Sequence, residues 1–99
     1  MKLISVKKSD AKGKKWAAIF EKNGKRKIVN FGAIKPNGEP YDDYTIGATD
    51  EQRKSYRARH ASGKSAPADS ANALSYYILW GDSRSRNANI TSFKRKYGV

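Results

Sequence analysis

Hydrophobic and polar positions change period partway along this chain. Up to Phe31 they alternate, and beyond Thr49 they recur every three or four residues. Leu3 to Val6 is a short β-branched run. After a polar, Gly-containing turn at Asp10 to Lys15 comes Trp16-Ala17-Ala18-Ile19-Phe20-Glu21-Lys22, then Asn23-Gly24, then Lys25 to Phe31. Asn-Gly between two such runs predicts a hairpin, because both residues accept positive φ. A two-residue loop sets the register: Lys22 faces Lys25, Glu21 faces Arg26, Ile19 faces Ile28, Ala18 faces Val29 and Trp16 faces Phe31. Trp16, Ala18, Phe20, Val29 and Phe31 then share the core face. The other face keeps Ile19 and Ile28 and is expected to be partly covered.

Gly32 to Gly47 reads as a loop, with Pro36, Asn37, Gly38, Pro40 and the acidic pair Asp42-Asp43. It is long for so small a domain, which points to function or mobility. Tyr41 and Tyr44 supply it with packing groups. Thr49 to Gln52 fits a capping box, with Asp50 and Glu51 suited to the first turn of a helix over Asp50 to Ala61. That helix has a poor apolar stripe and should lie on the surface, stopping near Gly63. Pro67 suits the first turn of a second helix reaching Trp80, with Gly81 as its C-terminal cap. Ala71, Leu74, Ile78, Ala73, Tyr77 and Trp80 make its broad apolar face, so it is the helix expected to cover the sheet. A last helix over Asn87 to Tyr97 places Ile90, Phe93 and Tyr97 on one side. The fold class is therefore α+β. A small antiparallel sheet, built of the Asn23-Gly24 hairpin plus the N-terminal strand, is covered by two or three C-terminal helices in a single domain, residues 1–99.

Charge changes this picture most. The chain has 99 residues, with 21 Lys and Arg against nine Asp and Glu, a formal net charge of +12. A chain this basic repels itself, and phosphate polyanions are the commonest partners that relieve the repulsion. With 37% hydrophobic residues the composition lies near the border of disorder, but eleven aromatics favour a fold. There is no cysteine, so disulfides, thiolate metal sites and a Cys nucleophile are excluded. The apolar start is too short for a signal peptide, and nothing approaches a membrane span. A soluble protein of intracellular origin, with no membrane partner, is expected.

The strongest basic cluster is Arg53, Lys54, Arg57, Arg59, His60 and Lys64. Arg53, Arg57 and His60 share a helix face by spacing, and Tyr56 lies one step round, placed to stack on a base. A phosphate-tracking ridge competes there with an ordinary solvated face. It is favoured because like charges at that spacing destabilise an isolated helix. Arg84 and Arg86 follow, then Lys94, Arg95 and Lys96, which also suit the carbonyl end of the last helix. Lys12 to Lys15 and Lys25 to Lys27 stand at opposite ends of the hairpin, as phosphate contacts or as guards of the sheet edges. His60 is the single histidine, and no metal-ligand spacing accompanies it. Asp42, Asp43, Asp50 and Glu51 read as a hydrated loop and a helix start rather than a metal site. Gly13-Lys14 lacks the context of a phosphate loop. No catalytic, metal or cofactor site is assigned.

Phe31-Gly32, Asp43-Tyr44-Thr45, Asp50, Arg53, Tyr56 and Arg59-His60 together resemble a family of small basic proteins of large double-stranded DNA viruses of algae and protists, a family without a characterised function. Ala73-Leu74-Ser75, Leu79-Trp80, Ile90 and Phe93-Lys94-Arg95 extend the likeness. Ile46-Gly47 stands where that family has a His or Lys after Tyr-Thr, and the loop Ala33 to Pro40 is longer than its usual one. The resemblance implies a viral origin and no particular activity.

The expected function is non-enzymatic, sequence-nonspecific nucleic-acid binding, DNA before RNA. The binding residues are Arg53, Lys54, Tyr56, Arg57, Arg59, His60, Arg84, Arg86, Lys94 and Lys96. The setting would be the cytoplasm or nucleus of a host cell, or the virion. The alternative is a minor capsid or cement protein that meets acidic virion proteins. An enzyme acting on a phosphate-bearing substrate ranks third.

Overall fold

The computed structural model describes residues 1–99. Strands β1 (Lys2–Lys8), β2 (Lys14–Lys22) and β3 (Lys25–Ala33) form an antiparallel sheet in the order β1-β2-β3. The hairpin has the register that its Asn-Gly loop demands, from Lys22↔Lys25 through Trp16↔Phe31 to Lys14↔Ala33. Asn23 and Gly24 have φ of 53° and 76°, matching the twist of the flanking strands. In β1, Leu3 pairs with Phe20 and Val6 with Ala18, and both face the core although three residues apart. A bulge between Leu3 and Ser5 absorbs the odd residue and leaves Ile4 outside. The carbonyl of Val99 accepts from Leu3 N–H, so the chain's end ties down the edge strand.

Helix α1 (Asp50–Arg59) starts at a complete capping box, in which Thr49 accepts from Gln52 N–H and Gln52 accepts from Thr49 N–H. No residue of α1 is fully buried, as its weak stripe predicts. The helix ends at His60, and a single 3₁₀ turn, Ala61–Lys64, follows. Gly63 lies inside that turn, buried against Asn72 and Tyr76, rather than marking the helix end.

Helix α2 departs from its sequence reading at both ends and in its middle. It begins at Ala71, not Pro67. Ser70 caps it by accepting from Ala73 N–H, and the Ser70 hydroxyl donates back to the Pro67 carbonyl, holding Pro67 to Ser70 in a turn. Ala71–Leu74 is α-helical, and Ser75–Leu79 widens to a π-turn closed by Trp80 N–H on the Ser75 carbonyl. The wider turn shifts the phase of the buried face. Tyr76 and Leu79 turn inward, whereas Ala71 stays exposed and Tyr77 and Trp80 are half-buried. Gly81 has no positive φ. It is a glycine because it is buried where a side chain has no room.

Helix α3 (Arg86–Tyr97) is capped by Ser85 and ends on Gly98 at φ 68°. Phe93 is buried and Ile90 and Tyr97 half-buried, as the spacing predicts; buried Asn89 is the addition. The core joins Leu3, Ala18, Phe20 and Phe31 of the sheet to Ala68, Ala73, Leu74, Ile78, Leu79 and Phe93. The molecule is a small α+β fold, with its helices on one side of a three-stranded sheet. No helix is long and apolar enough to cross a membrane.

Candidate nucleic-acid interface

The long loop after β3 is held by one carboxylate. Asp43 is 1% exposed, and its Oδ2 lies 2.7 Å from the Lys15 Nζ, itself buried. Lys15 donates a second bond to the Tyr41 carbonyl. The other oxygen of Asp43 accepts from the Thr45 N–H (2.8 Å) and hydroxyl, and its backbone carbonyl accepts from Ile46 and Ala48. Lys15 is therefore a structural cation and not part of a phosphate-binding patch.

This anchoring sets Tyr44 against the C-terminal end of α2. The last carbonyls of a helix have no partner of their own. Here each is supplied with a donor: Ile78 by Asn89 Nδ2 (2.8 Å), Leu79 by Tyr44 N–H (3.1 Å), Trp80 by Arg57 Nη1 (2.7 Å) and Gly81 by Arg53 Nε (2.7 Å). Two guanidinium charges thus meet the negative end of the α2 dipole. Arg53 also pairs with Asp82 at 2.7 Å, and Arg57 lies 4.2 Å over the Tyr76 ring. The Arg84 guanidinium lies 4.2 Å over Tyr44 and donates to the Ala48 carbonyl, and Arg86 lies 3.7 Å over Trp16. The Tyr44 hydroxyl donates to Asp50 (2.6 Å), and that bond to a carboxylate raises the Tyr44 pKa above the ordinary phenol value.

Four of the arginines expected to grip phosphates therefore hold the fold together. An Arg57→Ala change should remove a charged hydrogen bond from a half-buried carbonyl and cost about 2 kcal/mol. Urea denaturation checks this. An unchanged midpoint would return Arg57 to the free surface.

The remaining predicted residues divide by location. Tyr56, Arg59 and His60 come together on one wall of an open cleft of about 930 Å³. Phe31, Gly32, Leu79 and Trp80 line it as well, and Lys14, Lys35 and Tyr41 bring in the sheet end and the loop. Lys54 is exposed and outside the cleft; Lys94 and Lys96 are exposed on α3, the latter 5.2 Å over the Tyr77 ring. Tyr56 is not a free stacking plate. The Trp80 ring lies nearly parallel to it at 4.4 Å and the His60 ring at 4.1 Å, so both of its faces are taken. Burial raises the Tyr56 pKa. The exposed outer plate of this three-ring stack is His60.

Lys14 and Lys35 belong to the cleft and were not among the site residues read from the sequence. The hairpin register contained the signal for Lys14: two steps beyond Trp16–Phe31 it pairs with Ala33, one residue before the loop that carries Lys35. Two carboxylates, Asp42 and Glu51, also line the cleft. Glu51 lies in the first turn of α1, roughly 12 Å along the axis from Arg59 at 1.5 Å per residue.

A family model matches residues 4–60, the segment from the sheet through the anchored loop to the end of α1. It describes a family of unknown function, DUF5754. The chain belongs to this family. The part of this DUF5754 protein that matches includes Lys15, Asp43, Tyr44, Arg53, Arg57, Arg59 and His60, and thus the loop anchor, three of the four α2 cap donors and one wall of the cleft. No curated protein and no solved structure matches the chain.

Proposed function

We propose that this DUF5754 protein is a non-enzymatic nucleic-acid-binding protein that holds phosphates without reading base sequence. One observation carries the reading: the positive charge is left without internal partners. Of 21 Lys and Arg, only Lys15, Lys27 and Arg53 are paired with a carboxylate. Arg57, Arg84 and Arg86 meet only carbonyls and aromatic rings, which neutralise nothing. Lys14, Lys35 and Arg59 are exposed around one cleft without a carboxylate partner, and Lys54, Lys94 and Lys96 add exposed charge elsewhere. Phosphate contacts position a nucleic acid and carry no sequence information, so broad specificity follows. The resemblance to small basic proteins of large double-stranded DNA viruses favours DNA over RNA, and a viral genome in the infected cell or the particle as its source.

Titration of a labelled random-sequence DNA duplex against the protein tests this. With about six phosphate contacts, the logarithm of affinity should fall with the logarithm of salt at a slope near −5. A flat response would remove the proposal.

A further inference from the structure

The cleft differs from a plain phosphate ridge because it joins free cations to an aromatic plate. Trp80, Tyr56 and His60 form a continuous stack on its wall, in which the inner rings are half-buried and the last is exposed. The His60 side chain makes no hydrogen bond or ion pair. Its ring is held by stacking on Tyr56 and by its place just after α1, where its backbone N–H bonds to the Tyr56 carbonyl. Neighbouring Arg59 is exposed, and Lys14 and Lys35 line the same cleft. The volume of about 930 Å³ is within the range that accepts a small organic ligand. A flat ring laid against an aromatic plate, with anionic groups reaching several cations, describes an unpaired nucleotide in a strand. Paired bases inside a duplex are already stacked on both faces and cannot offer one.

Resting on the nucleic-acid reading above, we propose that the cleft takes an unpaired base of a single-stranded nucleic acid, stacked on the outer face of His60 with its flanking phosphates on Arg59, Lys14 and Lys35. His60 then serves as the fourth layer's platform, and Tyr56 and Trp80 support it from behind. Glu51, in the first turn of α1, discourages phosphates from that end of the helix, so the strand runs across the Arg59 end. Stacking tolerates any base, since every base has a π-face.

Fluorescence anisotropy on the full chain decides it, with labelled oligothymidylate of about 15 nucleotides and a duplex of equal length as probes. At one salt concentration the single strand should bind more tightly than the duplex. His60→Ala should weaken single-strand binding about tenfold and leave its salt slope and the duplex affinity unchanged. His60→Phe should restore single-strand binding, because it restores the plate. Arg59→Gln should reduce the magnitude of the single-strand slope by about 0.7. Thermal melts of each variant separate a lost contact from a lost fold. Equal affinity for both probes, or full single-strand affinity in His60→Ala, overturns the cleft proposal and leaves the polyanion reading standing. Absence of binding to either probe overturns both.

Discussion

Replacing Asp43 by alanine should destabilise the protein by about 3–5 kcal/mol. The Lys15 ammonium would lose its only carboxylate while its side chain stays 8% exposed, and an unpaired charge in that position is far more costly than an absent pair. The Tyr41 carbonyl would remain as its one partner. The Thr45 N–H and hydroxyl would lose their acceptor too, freeing the turn that sets Tyr44 beneath Arg84 and its N–H against the Leu79 carbonyl. For a domain of about this size such a loss lowers Tm by roughly 15 °C or more. Scanning calorimetry and urea denaturation measure it. A Lys15→Met/Asp43→Ala double variant should be more stable than Asp43→Ala alone, since the orphaned charge is gone. If the single variant lost less than about 1 kcal/mol, the pair would be behaving as a surface ion pair and the loop would have another anchor.

Gly81→Ala should be nearly as damaging, at about 3 kcal/mol. A Cβ at this position would come within 2.1 Å of the Tyr77 carbonyl oxygen and 2.7 Å of Asn89 Cγ. Neither can withdraw at low cost. Tyr77 belongs to the π-turn, and Asn89 is 3% exposed, donating to the Ile78 and Ser83 carbonyls and accepting from Ser83 N–H. Displacing Asn89 would uncover the capped end of α2, and displacing the backbone would move Trp80 and the stack it supports. Denaturant midpoints give the size of the loss, and the near-ultraviolet circular dichroism of the tryptophans reports whether Trp80 shifts. Stability equal to that of the native chain would show that the helix end can open to admit a methyl group.

Local rules carried much of the architecture. Asn23-Gly24 admits one tight register, so the cross-strand partners from Lys22–Lys25 to Trp16–Phe31 are legible from the sequence, and the structure extends the same register to Lys14–Ala33. Thr49 and Gln52 announced the start of α1 because a capping box needs only those two side chains and their own backbone. α2 was harder to read. Its π-turn adds a residue to one turn, and a 3.6-residue period carried through it assigns Ala71 to the core and leaves Tyr76 out. Gly81 reads as a helix-ending cap because the usual reason for glycine there is positive φ, whereas the reason here is the closeness of the Tyr77 carbonyl and of Asn89 on α3, a contact that no local pattern in the sequence marks.

The arginines show the same limit in the site. Arg53 and Arg57 are spaced as a surface ridge would be, and periodicity alone cannot tell which side of a weakly amphipathic helix faces the protein. Their destination depends on where α2 ends in space. Spacing did bring Tyr56, Arg59 and His60 to the same neighbourhood, but the sandwiching of Tyr56 needed Trp80, which lies more than twenty residues further along the chain. By itself the sequence determined the sheet, its register, the capped start of α1 and an excess of positive charge, because those follow from contacts between near neighbours and from composition. The tertiary structure decided which cations are consumed in capping a helix and anchoring a loop and which stay free around the cleft, because a guanidinium goes where unpaired carbonyls lie, and their positions exist only once the helices have packed.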